Sequence, residues 1–139
     1  MSSMEQLYQS IQHKNSRDHI ETALHIYAAS FKDHDIEKRS QLFADNARFE
    51  DPANAPAFNG LAAIQQLWQG LKAAPYSLEP EVHQVVICGD SALLDFTMHM
   101  KAQSESRSLH VRDIFEFDEQ GKISSLKAFW DPSCLNEES

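Results

Sequence analysis

The sequence predicts a domain of the α+β class, in which three N-terminal helices pack on one face of a curved, mainly antiparallel sheet and enclose an apolar pocket. Up to Pro75, apolar residues recur at steps of three and four, the period of an amphipathic helix. After Pro75, apolar and polar residues alternate, the period of a strand. Short polar turns such as Gly89-Asp90 separate the alternating runs and suit hairpin connections.

Helical spacing and capping residues predict the three helices. The first runs from Ser16 to Asp33 with Ser16 as its N-cap, and Asp35 caps a short second helix. The third spans residues 61–71. The apolar stripe of the first helix consists of Ile20, Ala23, Leu24, Tyr27, Ala28 and Phe31.

The strands are predicted by alternation and by the turn residues that bound them. Residues 48–51 are expected to be extended, because Pro52 disfavours helical geometry in the residue before it. The four longer strands are about Ser77–Cys88, Ala92–Gln103, Ser106–Phe117 and Lys122–Trp130. We expect one domain of residues 1–139, with an N-terminal arm of residues 1–15 and a loose tail of residues 132–139.

Charge and composition argue against several classes of function. With 12 Lys and Arg against 21 Asp and Glu, the net charge is −9, so the surface repels phosphates and no nucleic-acid partner is expected. No apolar run is long enough to cross a bilayer, and the N-terminus does not resemble a secretory signal. We therefore expect a cytoplasmic protein without a membrane partner. The seven histidines form no paired metal-binding motif, so no metal site is predicted.

Asp113 does not match the strand face on which it lies. Leu109, Val111, Phe115 and Phe117 share that face, because alternate residues of a strand point the same way. An ionised carboxylate is costly to bury among them, so the group either finds a partner or takes up a proton. A protonated Asp donates a hydrogen bond and is suited to stabilising an oxyanion. Two other interpretations stay open at this point: a bulge, or an ion pair with Arg or Lys.

Further residues favour a pocket against this face. Tyr27 lies in an apolar stripe and needs a polar partner for its hydroxyl, most often a backbone carbonyl. Asp51 lies where a strand gives way to a loop, a place where acids usually form turns or caps. On the neighbouring strand, Phe96 and Met98 share an apolar face, and Met suits both a core and an adaptable cavity wall.

Taken together, these residues resemble the steroid Δ-isomerase (ketosteroid isomerase) family of the NTF2-like or SnoaL-like superfamily. Tyr27–Phe31 resembles the helix segment that carries the family's catalytic Tyr, and Leu42–Pro52 resembles the segment that ends in its catalytic base. Asp113, within Arg112–Phe117, stands in the place of the second oxyanion-hole donor. The resemblance runs from about residue 19 to residue 130.

The resemblance implies a cone-shaped NTF2-like fold and an isomerase that needs no cofactor. Its substrate would be a 3-oxo-Δ5 steroid or a similar apolar ketone, whose C=C bond moves into conjugation with the carbonyl group. Asp51 would be the ionised base, and Tyr27 and a protonated Asp113 the oxyanion-hole donors. The residues implied to contact the apolar body of the substrate are Phe43, Trp68, Phe96, Met98, Val111, Phe115 and Trp130.

Three of these pocket residues depart from the family pattern. Phe43 replaces a Tyr that hydrogen-bonds the catalytic Tyr in some members, Trp68 replaces a usual Tyr, and Val111 stands where a Pro is familiar. The departures bear on the size of the pocket and on the substrate more than on the chemistry.

Other functions of the same superfamily remain open. A SnoaL-like cyclase acting on another carbonyl substrate needs only an acid and a polarised carbonyl, and a non-catalytic binding or association module needs only the pocket. A dehydratase is disfavoured because no His clearly enters the apolar face, and an epoxide hydrolase is disfavoured because Arg112 points away from Asp113. The resemblance also implies a homodimer formed through the outer sheet face, which carries Asp95, Thr97, His99, His110 and Arg112.

Overall fold

The protein is described here from a computed structural model that covers residues 2–138. Its helices are α1 (Ser3–Gln9), α2 (Arg17–Ala29), α3 (Ile36–Ser40) and α4 (Leu61–Ala73). Its strands are β1 (Phe43–Glu50), β2 (Phe58–Asn59), β3 (Ser77–Cys88), β4 (Ser91–Lys101), β5 (Ser106–Phe117), β6 (Ile123–Phe129) and β7 (Leu135–Glu138). A 3-10 turn (Pro132–Cys134) precedes β7. The helices pack on a mixed, mostly antiparallel, curved sheet, which confirms the predicted α+β class.

The sheet places the last three long strands at its centre. Its order is β2-β1-β6-β5-β4-β3, with β7 paired to β5 outside this path. Strands β3, β4, β5 and β6 are joined as antiparallel neighbours, whereas β1 lies parallel to β6. Asp113 on β5 is in register with Leu94 on β4 and with Ala128 on β6. This position puts Asp113 in the middle of the inner face.

Helix α2 has the N-cap and the buried stripe that the sequence predicts, but it ends four residues early. The Ser16 side chain accepts a hydrogen bond from the His19 backbone N–H, and the predicted stripe is buried. The helix ends at Ala29, and residues 30–34 form turns instead of a last helical turn. Asp35 then caps α3 by accepting from the Lys38 N–H at 3.0 Å, as predicted.

Both terminal segments contain regular structure that the sequence interpretation did not include. Residues 3–9 form α1, where Ser2 and Glu5 make a reciprocal capping box. At the other end, the segment expected to be loose forms β7, whose backbone pairs with residues 106–109 of β5. Pairing with a sheet edge satisfies backbone groups that a free tail leaves to water. Met1 and Ser139, which belong to these two predicted segments, lie outside the described residues.

The core lies between the helices and the inner face of the sheet. Along β5, the inner residues Val111, Asp113, Phe115 and Phe117 are buried, while Arg112 on the other face is exposed. The alternation agrees with the predicted faces. Within residues 2–138, no helix is long and apolar enough to cross a membrane. The same residues contain no cluster of three or more His, Cys, Asp or Glu side chains arranged to hold a metal ion.

Candidate active site

An apolar cavity of about 190 Å³ opens between α2, α4 and the inner face of the sheet. Eight of the ten residues predicted to form the site line it: Tyr27, Asp51, Trp68, Phe96, Met98, Val111, Asp113 and Trp130. Phe43 and Phe115 are not part of the lining. They pack behind Tyr27 instead, with ring centroids 6.0 and 5.3 Å from that of Tyr27.

Asp113 is buried in this cavity without a partner. Asp113 is 2% exposed, and its Oδ1 atom makes no hydrogen bond to any group in residues 2–138. Burial, and secondarily the charge of Asp51, raises the pKa of the Asp113 carboxyl well above its usual range. A raised pKa favours the protonated carboxyl group, which can donate a hydrogen bond to a ligand oxygen.

The two other interpretations of Asp113 do not match the geometry. Its pairing with Leu94 and Ala128 is regular, and the irregularity between β5 and β6 falls at Glu116 and Phe117 instead. Arg112, the adjacent cation, is 3.8 Å from Asp95 on the opposite face. A bulge or an ion pair therefore does not account for the buried acid.

Tyr27 is held by aromatic rings on three sides, and its hydroxyl is left free. The ring packs edge-on against Phe31 at 5.1 Å and Phe115 at 5.3 Å, and it is tilted against Phe43. Within the described part of the chain, the hydroxyl forms no hydrogen bond, so the common backbone-carbonyl partner is not used here. Burial, and then the nearby charge of Asp113, raises the pKa of Tyr27 well above 10.0. The hydroxyl is therefore protonated at neutral pH and available as a donor.

Asp51 lies at the mouth of the cavity, directly after β1, and remains in contact with solvent. The Trp130 indole Nε1–H donates to its Oδ1 atom at 2.6 Å. The surrounding protein raises the pKa of Asp51 through partial desolvation, while the Trp130 hydrogen bond favours the charged form and acts in the opposite direction. Since the pKa of Asp113 is raised far more strongly, Asp51 loses its proton first as the pH rises.

Glu50, the residue before Asp51, anchors the loop that follows β1. It is buried, its Oε1 atom accepts from the Asn54 N–H at 2.7 Å, and it contacts Arg48 and Lys127. The Asn54 hydrogen bond, followed by that of Arg48, lowers the pKa of the Glu50 carboxyl. The two adjacent acids therefore differ: Glu50 pairs with groups of the protein, and Asp51 faces the cavity.

Several lining residues were not among the ten predicted site residues. They are mostly aliphatic or thioether side chains: Phe31, Phe49, Leu67, Leu71, Leu78, Met100, Leu109 and Ala128. For some of these residues, the spacing in the sequence indicates that they face the cavity. Leu67 and Leu71 lie four apart on α4, and Met100 and Leu109 continue the inner faces of β4 and β5. Among the described residues that line the cavity, the polar side chains are those of Tyr27, Asp51, Asp113 and Trp130.

Comparison with known proteins gives the family. Residues 24–126 match the SnoaL-like domain family. The chain belongs to this SnoaL-like family. It is also 32% identical, over 94 residues, to a protein named steroid Delta-isomerase from Nocardioides simplex, an alignment that covers 68% of this chain and 75% of that protein. The chain is therefore a member of the ketosteroid-isomerase-like NTF2/SnoaL superfamily, as the sequence resemblance predicted.

Solved structures of SnoaL-like proteins share the fold at lower sequence identity. The epoxide hydrolase/cyclase-like enzyme SalBIII, which has a role in pyran ring formation in the polyether salinomycin, superposes with a TM-score of 0.76 at 20% identity. That superposition covers 90% of this chain and 99% of SalBIII. An LEH-like epoxide hydrolase of Mycobacterium tuberculosis superposes with a TM-score of 0.71 at 16% identity, covering 81% and 83% of the two chains. At these identities the likeness concerns the NTF2-like fold.

Proposed function

We propose that the protein is a ketosteroid-isomerase-like enzyme. It moves a C=C bond into conjugation with a ketone, in a 3-oxo-Δ5 steroid or a similar apolar substrate, by proton transfer within one molecule. The steroid Delta-isomerase relative, 32% identical over 94 residues, supports an isomerase in this family. Tyr27, Asp51 and Asp113, which line one cavity, support the same chemistry.

One observation carries the proposal: the unpaired, buried Oδ1 atom of Asp113 in a cavity shared with Tyr27 and Asp51. A buried polar atom without a hydrogen bond is costly, and native proteins keep few of them. A ligand oxygen that accepts from Asp113 and Tyr27 removes this cost. The neutral Asp in an oxyanion hole is the known device of ketosteroid isomerase itself, so the logic follows that family.

The reaction transfers a single proton in two steps. Asp51, as the carboxylate, takes the proton from the carbon between the carbonyl group and the C=C bond. The C–H electrons form a new C=C bond to the carbonyl carbon, and the carbonyl π electrons move to oxygen, giving a dienolate. Tyr27 and protonated Asp113 donate hydrogen bonds to this oxygen, which stabilise its charge as it develops.

The second step returns the same proton to a different carbon. The oxygen re-forms its double bond to carbon, the electrons shift along the conjugated system, and Asp51 protonates its far end. The product has the same atoms as the substrate, and the base is again ionised. Because Asp51 is at the mouth and Asp113 is inside, the ketone enters first and the rest of the substrate lies toward the solvent side.

The size of the cavity agrees with a ligand that is only partly enclosed. About 190 Å³ is less than the roughly 300–1,000 Å³ of typical ligand clefts. Met98 and Met100, which are flexible, line the cavity and can shift to admit a longer body. Away from the polar group of four side chains, the wall is apolar, so the substrate needs only one polar end inside.

A SnoaL-like cyclase and a non-catalytic binding or association module are the remaining alternatives. The fold shared with SalBIII suits the first, and the apolar cavity alone suits the second. The proposal also includes a cytoplasmic homodimer associated through the outer sheet face, which sedimentation of the purified protein tests. A monomer at micromolar concentration would contradict the dimer without affecting the chemistry.

The decisive experiment follows the conjugated product by ultraviolet absorbance after mixing the protein with 5-androstene-3,17-dione. Wild-type protein should convert it, and Asp51→Asn should lower kcat by roughly 10² to 10⁴, the usual contribution of a general base. Asp95→Asn, which alters an acid on the opposite sheet face, is the matched control and should retain the wild-type rate. Full turnover in folded Asp51→Asn would contradict the assignment of the base. No turnover by folded wild type would favour a different carbonyl substrate or a binding role.

A further inference from the structure

Arg39 is a fully buried cation behind the wall of the cavity. It lies on the short helix α3, is 1% exposed, and is one of the largest fully buried side chains. Its Nε–H donates to Ser30 Oγ at 2.8 Å, and its second terminal nitrogen donates to the Ser30 carbonyl oxygen at 3.1 Å. Burial lowers the pKa of Arg39 to about 10, which leaves the guanidinium charged at neutral pH.

Among residues 2–138, no carboxylate lies within salt-bridge distance of this charge, and the Asp35 carboxylate acts on it only from further away. In the described part of the chain, the arginines that form salt bridges are Arg48, Arg107 and Arg112. Arg39 is instead covered by two aromatic faces, with its guanidinium carbon 3.7 Å from the ring centroid of Phe31 and 4.8 Å from that of Trp68. Burial of a cation without a salt bridge is costly and is uncommon without a role for the charge.

Two connections join Arg39 to the oxyanion-hole donor. Ser30, which accepts from Arg39, donates its own hydroxyl proton to the Tyr27 carbonyl oxygen at 2.6 Å. Phe31, which the guanidinium covers, packs edge-on against the Tyr27 ring at 5.1 Å. Phe31 and Trp68 themselves line the cavity, so only the thickness of one aromatic layer separates the cation from it.

We propose that Arg39 is a positioning residue of the isomerase site, which fixes Tyr27 through Ser30 and Phe31 and provides the buried positive charge that balances the oxyanion. This inference rests on the proposed function. Near Tyr27 and Asp113, burial and the charge of Asp51 both disfavour further negative charge. Arg39 acts against them: its charge lowers the pKa of Tyr27, opposing the effect of burial.

The Arg39 charge can also compensate for the lack of a tyrosine hydroxyl at position 43. Phe43 contacts the Tyr27 ring but has no hydroxyl group to support the Tyr27 oxygen. A charge placed behind an aromatic wall acts through a medium of low dielectric constant, where it is attenuated less than in water. Arg39 therefore supplies electrostatically what a neighbouring hydroxyl supplies by a hydrogen bond.

The test measures the ionisation of a bound phenol, so it does not depend on turnover. 4-Nitrophenol resembles a conjugated enol, and its phenolate is coloured, so absorbance gives the bound ionised fraction at each pH. The measurement uses an Asp51→Asn background, in which position 51 is neutral, as it is after the base has taken the proton. In that background, Arg39→Met should raise the apparent pKa of bound nitrophenol by about one unit, or tenfold.

Matched variants distinguish an effect of the Arg39 charge from an effect of its packing and hydrogen bonds. Lys38→Met removes an exposed cation from the same helix and should leave the bound nitrophenol unchanged. Arg39→Gln is a second neutral variant that can still hydrogen-bond Ser30, and it should act like Arg39→Met. Arg39→Lys keeps the charge and should restore most of the phenolate. If Arg39→Lys loses as much phenolate as the neutral variants, or if the neutral variants lose none, the proposal is wrong.

Turnover distinguishes this inference from the proposed function. If wild type isomerises the steroid, Arg39→Met should lower kcat about tenfold with little change in KM, because the charge acts on the transition state. An active wild type whose neutral Arg39 variants keep both kcat and the phenolate fraction would overturn the role of Arg39 alone. An inactive wild type with the expected nitrophenol shift would overturn the isomerase proposal and leave the charge effect standing. Failure of nitrophenol to bind the parent protein would overturn the inference, because the pocket would then accept no oxyanion.

Discussion

The acids on the two faces of β4 and β5 differ in whether their carboxyl groups have partners. On the outer face, Asp95 Oδ1 lies 2.6 Å from His110 Nε2 and 3.8 Å from Arg112 Nε. On the inner face, Asp113 follows directly after Arg112 in the chain, yet its Oδ1 atom has no partner among residues 2–138. The same two strands therefore carry one acid that is paired with basic side chains and one whose charged form is disfavoured by burial.

The difference between a paired and an unpaired acid indicates which of the two has a chemical role. An acid that only supports structure is surrounded by donors or cations, because an unpaired buried charge destabilises the protein. Asp113 is instead left with apolar neighbours and one open cavity, an arrangement that raises its pKa and is unfavourable without a ligand. We interpret the unpaired acid as functional and the paired acid as structural.

The largest effect expected from the comparison is on turnover. Asp113→Leu and Tyr27→Phe each remove one proposed oxyanion donor and should lower kcat by roughly 10² to 10³, with the fold intact by circular dichroism. Asp95→Leu, on the outer face, should stay within about threefold of wild type. An equal loss in the Asp95 variant would break the distinction between the faces.

A smaller effect is expected on stability, and it has opposite signs on the two faces. Because burial raises the pKa of Asp113, the folded protein keeps a proton that the unfolded chain releases above about pH 4. The free energy of unfolding therefore falls as the pH rises from that value. Asp113→Asn removes this loss and should be more stable than wild type at about pH 8, with the gain vanishing near pH 4. Denaturant unfolding at several pH values measures it.

The matched variant Asp95→Asn should instead lower the free energy of unfolding by about 0–1 kcal/mol, because it weakens a partly exposed ion pair. A stabilised Asp95→Asn, or an Asp113→Asn that is destabilised at every pH, would contradict the assignment of the two acids.

The smallest effect concerns the position of the acid limb of the pH–rate profile. The Trp130 hydrogen bond favours the ionised form of Asp51 and so lowers its pKa against the effect of desolvation. Trp130→Phe keeps the aromatic wall but removes the donor, so kcat/KM should decline at higher pH than in wild type as the solution is acidified. Trp68→Phe, which alters a ring without a bond to Asp51, should leave the limb in place. An acid limb shifted to lower pH in Trp130→Phe would contradict this role.

The sheet and its buried acid could be predicted because apolar and polar residues alternate strictly along a strand. The bounds of β3 and β5 agree with the predicted Ser77–Cys88 and Ser106–Phe117, since alternation and turn residues define both. Asp113 was conspicuous as a single charge on an apolar face. Whether it had a partner required coordinates, because partners across a sheet are distant in sequence.

The features that were missed depend on contacts that local patterns do not carry. Helix α2 ends at Ala29 and residues 30–34 form turns that lead to α3, although the apolar stripe continues to Phe31. Strand β7 forms because β5 offers it an edge, and a short polar segment gives little sign of this. Arg39 is buried by Phe31, from the turn after α2, and by Trp68, from α4, whereas its immediate neighbours in sequence are polar.

The protonation state of Asp113 tests the central claim most directly. An infrared difference spectrum between wild type and Asp113→Asn, with carboxyl carbons labelled in Asp, isolates this one group at neutral pH. The account predicts that the variant loses the C=O stretch of a protonated carboxylic acid, and that adding an enolate-like phenol shifts this band in wild type. Loss of a carboxylate band instead would show that Asp113 is ionised at neutral pH, and would contradict its assignment as an oxyanion-hole donor.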